Sequence, residues 1–225
     1  MVDSSRWRDH GYCMTTPQDR KRAEREARRR RIQGAARPIF TERGFAATSI
    51  EQIARQAEMS VGAIYLYFQS KEDLYVSLLP ESLAPLETAL AAARAEHTDD
   101  RLTAAWAQLW SWSKAEVEGA RTLGLLARPD LAKQLSAEGV ESASAAIGRI
   151  KDQLAGTIAD GIAGNTYRKA DPAAVAELVW SAFVGGLTLD LVATNLGQQP
   201  IDRSALIQVI EASLRADVSS MRRAA

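Results

Sequence analysis

Residues 48–74, TSIEQIARQAEMSVGAIYLYFQSKEDL, decide the fold. Ile50, Ile53, Ala54 and Ala57 fall at i, i+3, i+4 and i+7, the buried stripe of a short helix. Thr48 stands before it with Glu51 three residues on, the spacing of a capping box. Glu58-Met59 makes a turn. Ser60 then caps a second short helix whose inward residues are Ile64 and Phe68, and Ser70 caps a third, with Asp73 three residues on. Two short helices at a sharp turn, the second presenting small and aromatic residues, form a helix-turn-helix suited to the major groove of DNA.

Upstream, Ile32, Ala35, Ala36, Ile39 and Phe40 give the stripe of a first helix that ends at Arg43-Gly44, with Gly44 just past its C-terminus. Pro38 inside that helix removes one backbone bond, so a kink or a loose first half is expected there. Residues 20–31, RKRAEREARRRR, hold eight basic residues and two acids without apolar period. Residues 1–29 read as a disordered basic arm, able to lie along phosphates or enter the minor groove. Met14 is an alternative start, which would leave residues 1–13 outside the native chain.

The pattern Ile32-x-x-Ala35-Ala36-x-x-Ile39-Phe40, Gly44-Phe45-x-x-Thr48-Ser49-Ile50-x-x-Ile53-Ala54-x-x-Ala57, Ser60-x-Gly62-x-Ile64-Tyr65-x-Tyr67-Phe68-x-Ser70-Lys71-Glu72-x-Leu74 resembles the DNA-binding domain of the tetracycline-repressor family of bacterial transcription regulators. The likeness covers about a third of the chain. Three departures stand out: Arg37-Pro38 replaces a helix-forming pair, Glu58 replaces the usual turn glycine, and Val61 replaces a frequent lysine. A non-glycine residue at Glu58 has to adopt positive φ. The resemblance implies an all-α chain with a three-helix DNA-binding domain at residues 30–75 and a helical ligand-binding and dimerisation domain at 76–225. It also implies that Tyr67 and Lys71 touch phosphates.

Position by position, Ser60, Val61, Gly62 and Ala63 open the recognition helix. Their small side chains allow close approach, and Val61 and Ala63 suit thymine methyls. Tyr65, Tyr67, Ser70 and Lys71 are expected at phosphates or base edges, with Thr48, Ser49 and Arg55 as further backbone contacts.

The remainder is helical in pattern, and almost no segment alternates with period two. Helix 4 runs from Lys71 toward Leu79, with a kink near Pro80 and renewed helix from Glu81 to about Glu96. Trp106, Trp110 and Trp112 lie on a helix over residues 100–120, a short helix follows near 122–127, and Asp130 caps a long one ending at Ala163. Trp106, Trp110, Leu125, Trp180 and Phe183 are the expected wall of an apolar effector pocket, against the plainer reading of helix-packing core. Helices at about 171–195 and 203–222, both amphipathic, are expected to meet their copies as a four-helix bundle in a homodimer.

Charge divides along the chain. Residues 1–71 carry 14 Lys/Arg against 8 Asp/Glu, and residues 72–225 carry 14 against 20, the layout of a protein that holds a polyanion at one end. The single cysteine, Cys13, excludes an intramolecular disulfide and a cysteine-based zinc site. No apolar leader is visible, and the apolar run Leu178–Leu189 is short for a bilayer, so a cytoplasmic protein without membrane contact is expected. With two histidines, His10 and His97, and no phosphate loop or nucleophile grouping, no enzyme, metal or cofactor is expected. The expected function is a DNA-binding transcriptional regulator, a repressor that leaves its double-stranded operator when a small hydrophobic effector binds. The competing reading is a ligand-independent architectural or partner-controlled protein.

Overall fold

The capping chemistry of the opening stretch builds the head of the molecule almost as written. The structure, a computed structural model, describes residues 16–96, 100–199 and 202–215. The expected disorder of residues 1–15, the loop at His97 and the continuation of the last helix to residue 222 lie outside them. Ten α-helices and one 3₁₀ turn make up the described chain, and no strand occurs among these residues.

Helix α1 (Pro17–Ala47) begins well before the expected start. Thr16 caps it, accepting from the Asp19 backbone N–H while the Asp19 carboxylate accepts from Thr16 N–H, and Pro17 supplies a preset φ. The arm expected through residue 29 is therefore helical from residue 17. The backbone stays helical through Pro38, and the break falls at Gly44, at φ 72°, where the first helix was expected to end.

Helix α2 (Ile50–Gln56) is capped one residue later than expected. Ser49 accepts from Gln52 N–H, and the Gln52 side chain accepts from Ser49 N–H. Thr48 instead ends α1: its buried hydroxyl donates to the Gly44 carbonyl at 2.8 Å. Glu58 turns the chain at φ 53°, the positive value required there. Helices α3 (Val61–Tyr65) and α4 (Lys71–Val76) follow, capped by Ser60 and Ser70 as expected. Ile32, Ala36, Phe40, Ile50, Ile53, Ile64, Phe68, Leu74 and Tyr75 close the head's core. Phe40 stacks on Phe45, and Tyr75 meets the edge of Phe40 and lies tilted against Phe45.

The body starts with α5 (Leu79–Ala95), which contains Pro80 in its first turn and Pro85 further in. The tryptophan helix splits into α6 (Arg101–Ala115) and α7 (Val117–Leu126) at Glu116. The break sets Gly119 so close to Ser82 that an added Cβ would lie 2.0 Å from the serine hydroxyl. After the 3₁₀ turn at Leu131–Gln134, α8 (Ala137–Ala163) is capped by Ser136 rather than Asp130. Then come α9 (Pro172–Asn195), capped by Asp171, and α10 (Ser204–Leu214).

Helix α5 packs on α8 and α8 on α9, around Leu83, Leu86, Leu90, Leu109, Ile150, Leu154, Val179 and Phe183. Glu211 of α10 is 3% exposed and caps α6 from across the body, accepting from Leu102 N–H, Thr103 N–H, the Thr103 hydroxyl and the Tyr167 phenol. Burial and this bond push the Tyr167 phenol above its ordinary pKa. By length and composition alone α9 could cross a membrane. In the fold, its Trp180 and Phe183 are buried in the body's core.

Candidate nucleic-acid interface

The recognition helix stands out from the head because its neighbours bury only Ile64 and Phe68. Ser60 accepts from Ala63 N–H at 3.1 Å and fixes the helix start, leaving Ser60 and Gly62 exposed and Val61 and Ala63 half-buried. Tyr65 is 51% exposed, so its ring is not a core residue. Arg55 on α2 is exposed, and Ser49 is half-buried at its cap. Leu66 is 71% exposed beside Tyr65, an apolar side chain that the sequence reading passed over. Its position between the inward Ile64 and Phe68 was the available signal.

Other expected contact residues are occupied. Thr48 is buried at the end of α1, so its side chain is not on the head's surface. The Ser70 hydroxyl donates to the Gln134 carbonyl at 2.6 Å. The Lys71 ammonium donates to the carbonyls of Phe45 and Thr48, each at 2.9 Å, and lies 4.3 Å from the Phe45 ring centroid. Lys71 thus pins the α1–α2 connection, with one N–H left over. Its replacement by alanine should lower stability to denaturant by about 1–2 kcal/mol, since bonds from a charged donor are lost. Lys71→Met, which keeps the stem over Phe45, should lose most of the same. Unchanged unfolding midpoints for both would show that the ammonium is dispensable there. Tyr67 is half-buried, its carbonyl accepting from Arg29 at 2.7 Å and its ring under the Arg25 guanidinium.

Head and body meet in two polar joints on α4. The Asp73 carboxylate, 1% exposed, accepts from Gln69 N–H and from both the backbone N–H and hydroxyl of Ser136, the α8 cap. Gly139 lies so close that an added Cβ would sit 2.4 Å from Asp73 Oδ1. Arg29 reinforces this joint through Glu138 at 3.2 Å. On the other side the Tyr75 phenol donates to Glu118 of α7 at 2.6 Å, and burial plus this bond raise its pKa.

Four of the five expected effector residues, Trp106, Trp110, Trp180 and Phe183, are gathered, but packed together. The rings of Trp110 and Phe183 are 5.3 Å apart by centroid, Trp180 and Phe183 5.7 Å, and Trp106 and Phe183 6.3 Å. Trp180 and Phe183 are buried. Leu125 lies apart from them, packed against both head and body cores. Open space lies instead on the outer side of the tryptophans, in a groove of about 530 Å³ lined by Trp106, Trp110, Lys114, Asp190, Arg203 and Ile207. The Trp110 indole N–H has no hydrogen-bond partner among the described residues. A second cavity of about 460 Å³ lies between α1, α4 and α7, lined by Arg37, Phe40, Tyr75, Glu116 and Arg121 among others. No cluster of metal-binding side chains occurs among the described residues.

Comparison with known proteins agrees with this architecture. Residues 32–78 match the family described as bacterial regulatory proteins, tetR family, and residues 130–205 match the tetracyclin repressor-like C-terminal domain. The chain is 44% identical over 62 residues to the HTH-type transcriptional regulator HbdR of Aromatoleum sp. (strain CIB), covering 28% of this chain and 27% of that one. It is 41% identical over 49 residues to the fatty acid metabolism regulator protein of Bacillus subtilis (strain 168), covering 22% of this chain and 25% of that one. These matches thus span about a quarter of each relative's length. Among solved structures, the regulator FadR from Bacillus subtilis in complex with stearoyl-CoA superposes with a TM-score of 0.60 at 20% identity, covering 83% of this chain and 97% of that one. MbdR from Azoarcus sp. CIB gives 0.58 at 23% identity, covering 83% and 98%. With both family domains present in order on an all-helical chain, the protein belongs to the tetracycline-repressor family of bacterial regulatory proteins.

Proposed function

We propose that this chain is a homodimeric, DNA-binding transcriptional regulator, a repressor released from its operator by a small apolar effector. The observation that carries the reading is the exposed α3, whose face of Ser60, Val61, Gly62, Ala63 and Tyr65 is held by a capped and packed head. Those residues and Leu66 meet base edges by apolar contact, while Ser49, Arg55 and Tyr67 serve the backbone.

A single head reads too few bases, and a dimer reads two half-sites about 34 Å apart or more. An exposed stripe supports the dimer: Ala174, Leu178, Ser181, Gly185, Leu189 and Val192 recur along one side of α9, and Leu206 and Val209 of α10 are exposed as well. Small residues within the stripe permit close approach of a copy. The effector's place is the groove at Trp106 and Trp110, walled by the same α9 and α10. An occupant that reshapes this wall shifts α8, and Ser136 and Asp73 pass the shift to α4 and the head.

The test begins with selecting a bound sequence from a random duplex library. A two-half-site palindrome is expected. Thermal melts are then run with apolar acids and acyl thioesters, stearoyl-CoA included because the Bacillus subtilis neighbour holds it. A compound that raises the melting temperature and weakens operator binding at least tenfold supports the reading. Stabilisation with unchanged operator affinity would sink the release mechanism. The ring-to-ring packing of Trp110, Trp180 and Phe183 favours one alternative, a regulator without an effector. That alternative predicts no saturable stabilisation by any compound.

A further inference from the structure

Helix α1 starts 15 residues before Ile32, where the head's core and the family match both begin. Residues 16–28 are exposed throughout. At 1.5 Å per residue the helix start lies roughly 22 Å from Ile32 along the axis. Its capping box, Pro17, Ala23 and Ala27 favour a helix, although it has no apolar stripe to bury.

Its charges are sorted. Arg29 points inward and is used by Tyr67 and Glu138; Arg30 pairs with Glu26 and Arg31 with Glu58. Among the described residues no acid lies within ion-pair distance of Arg20, Lys21, Arg22, Arg25 or Arg28. Lys21, Arg25 and Arg28 fall at i, i+4 and i+7, one face of the helix, with Arg22 beside them. That face is on the recognition side, because the Arg25 guanidinium lies 5.3 Å from the ring of Tyr67, just beyond α3.

Resting on the DNA-binding reading, we propose that the N-terminal half of α1 is a rigid basic rail that holds phosphates of the duplex flanking each half-site. A helix about 10 Å wide does not enter a minor groove about 6 Å wide. The rail therefore adds affinity and salt dependence without reading sequence, by releasing counterions. Its rigidity places the charges on flanking DNA, where a flexible tail would spread them over many positions.

The test uses the full chain and the sequence it selects from a random library, as two duplexes: one ending at the half-sites, one longer by about a helical turn on each side. Binding is read by fluorescence anisotropy at several salt concentrations. Wild type should bind the longer duplex at least tenfold tighter, with a steeper salt slope. The quadruple variant Lys21→Gln, Arg22→Gln, Arg25→Gln and Arg28→Gln should bind both duplexes equally, and as tightly as wild type binds the short one. Ala23→Pro keeps every charge but frees Lys21 and Arg22 from the helix, and should lose part of the gain. A full flank gain in the quadruple variant, or none in wild type, overturns the rail. A full gain in Ala23→Pro overturns its rigidity. Failure of wild type to bind either duplex would instead refute the regulator reading, and the rail with it.

Discussion

Leu189→Asp combined with Val209→Asp should convert a dimer into a folded monomer and weaken binding to a two-half-site duplex by at least about a hundredfold. Both side chains lie on the outer faces of α9 and α10, 61% and 68% exposed, so neither substitution disturbs the body's core. In a dimer the four introduced carboxylates would be forced together in an apolar contact, where unpaired charge is costly. The loss of affinity follows from linkage: once one head is bound, the second meets its half-site at a high effective concentration, which a monomer forgoes. Sedimentation gives the mass, the melting curve reports the fold, and anisotropy reads the affinity. A variant that remains dimeric would place the subunit contact elsewhere.

Glu211→Ala should destabilise the chain by about 3–4 kcal/mol, because a buried charge-assisted network loses its carboxylate acceptor. Without it, Leu102 N–H, Thr103 N–H and the Tyr167 phenol lose their carboxylate acceptor, and α6 loses the negative charge at its N-terminus. Asp100, the residue at the α6 cap position, makes no side-chain capping bond. For a chain of this size the melting temperature should fall by roughly 10 °C. Glu211→Gln keeps the size and one acceptor, so it should cost about half as much. A fall of under about 2 °C for the alanine variant would mean that the α6 start is held by something other than this carboxylate.

The head was legible because its signals are local. Caps at Ser60 and Ser70, apolar spacings from Ile50 to Ala57, and the strained turn at Glu58 act within a few residues of themselves. The errors fall where two residues offer the same local chemistry. Thr48 and Ser49 both carry a hydroxyl with a side-chain acceptor three residues on, and only packing against Gly44 decides that Thr48 ends α1. Asp130 and Ser136 compete in the same way for α8. The basic run read as disordered because hydrophobic period was the criterion, whereas its helix rests on a capping box and on propensity. The polar partners of Lys71, Ser70 and Glu211 were not legible for a different reason: they lie tens of residues away along the chain. Trp106, Trp110, Trp180 and Phe183 do meet, but spacing alone does not tell a packed ring from a pocket wall.

The contact of Asp73 with Ser136 and Gly139 bears on modularity. Proteins of this plan invite exchange of the reading head for that of a relative. Here the graft boundary would pass through a joint in which a carboxylate from the head needs both a serine cap and a missing Cβ on the body. A donor head lacking an acid at position 73 would leave the α8 cap without that acceptor, and a body carrying alanine at 139 would push the donor away. On the DNA-binding reading proposed above, retargeting is therefore better done by changing the outward residues of α2 and α3 than by transplanting the head whole.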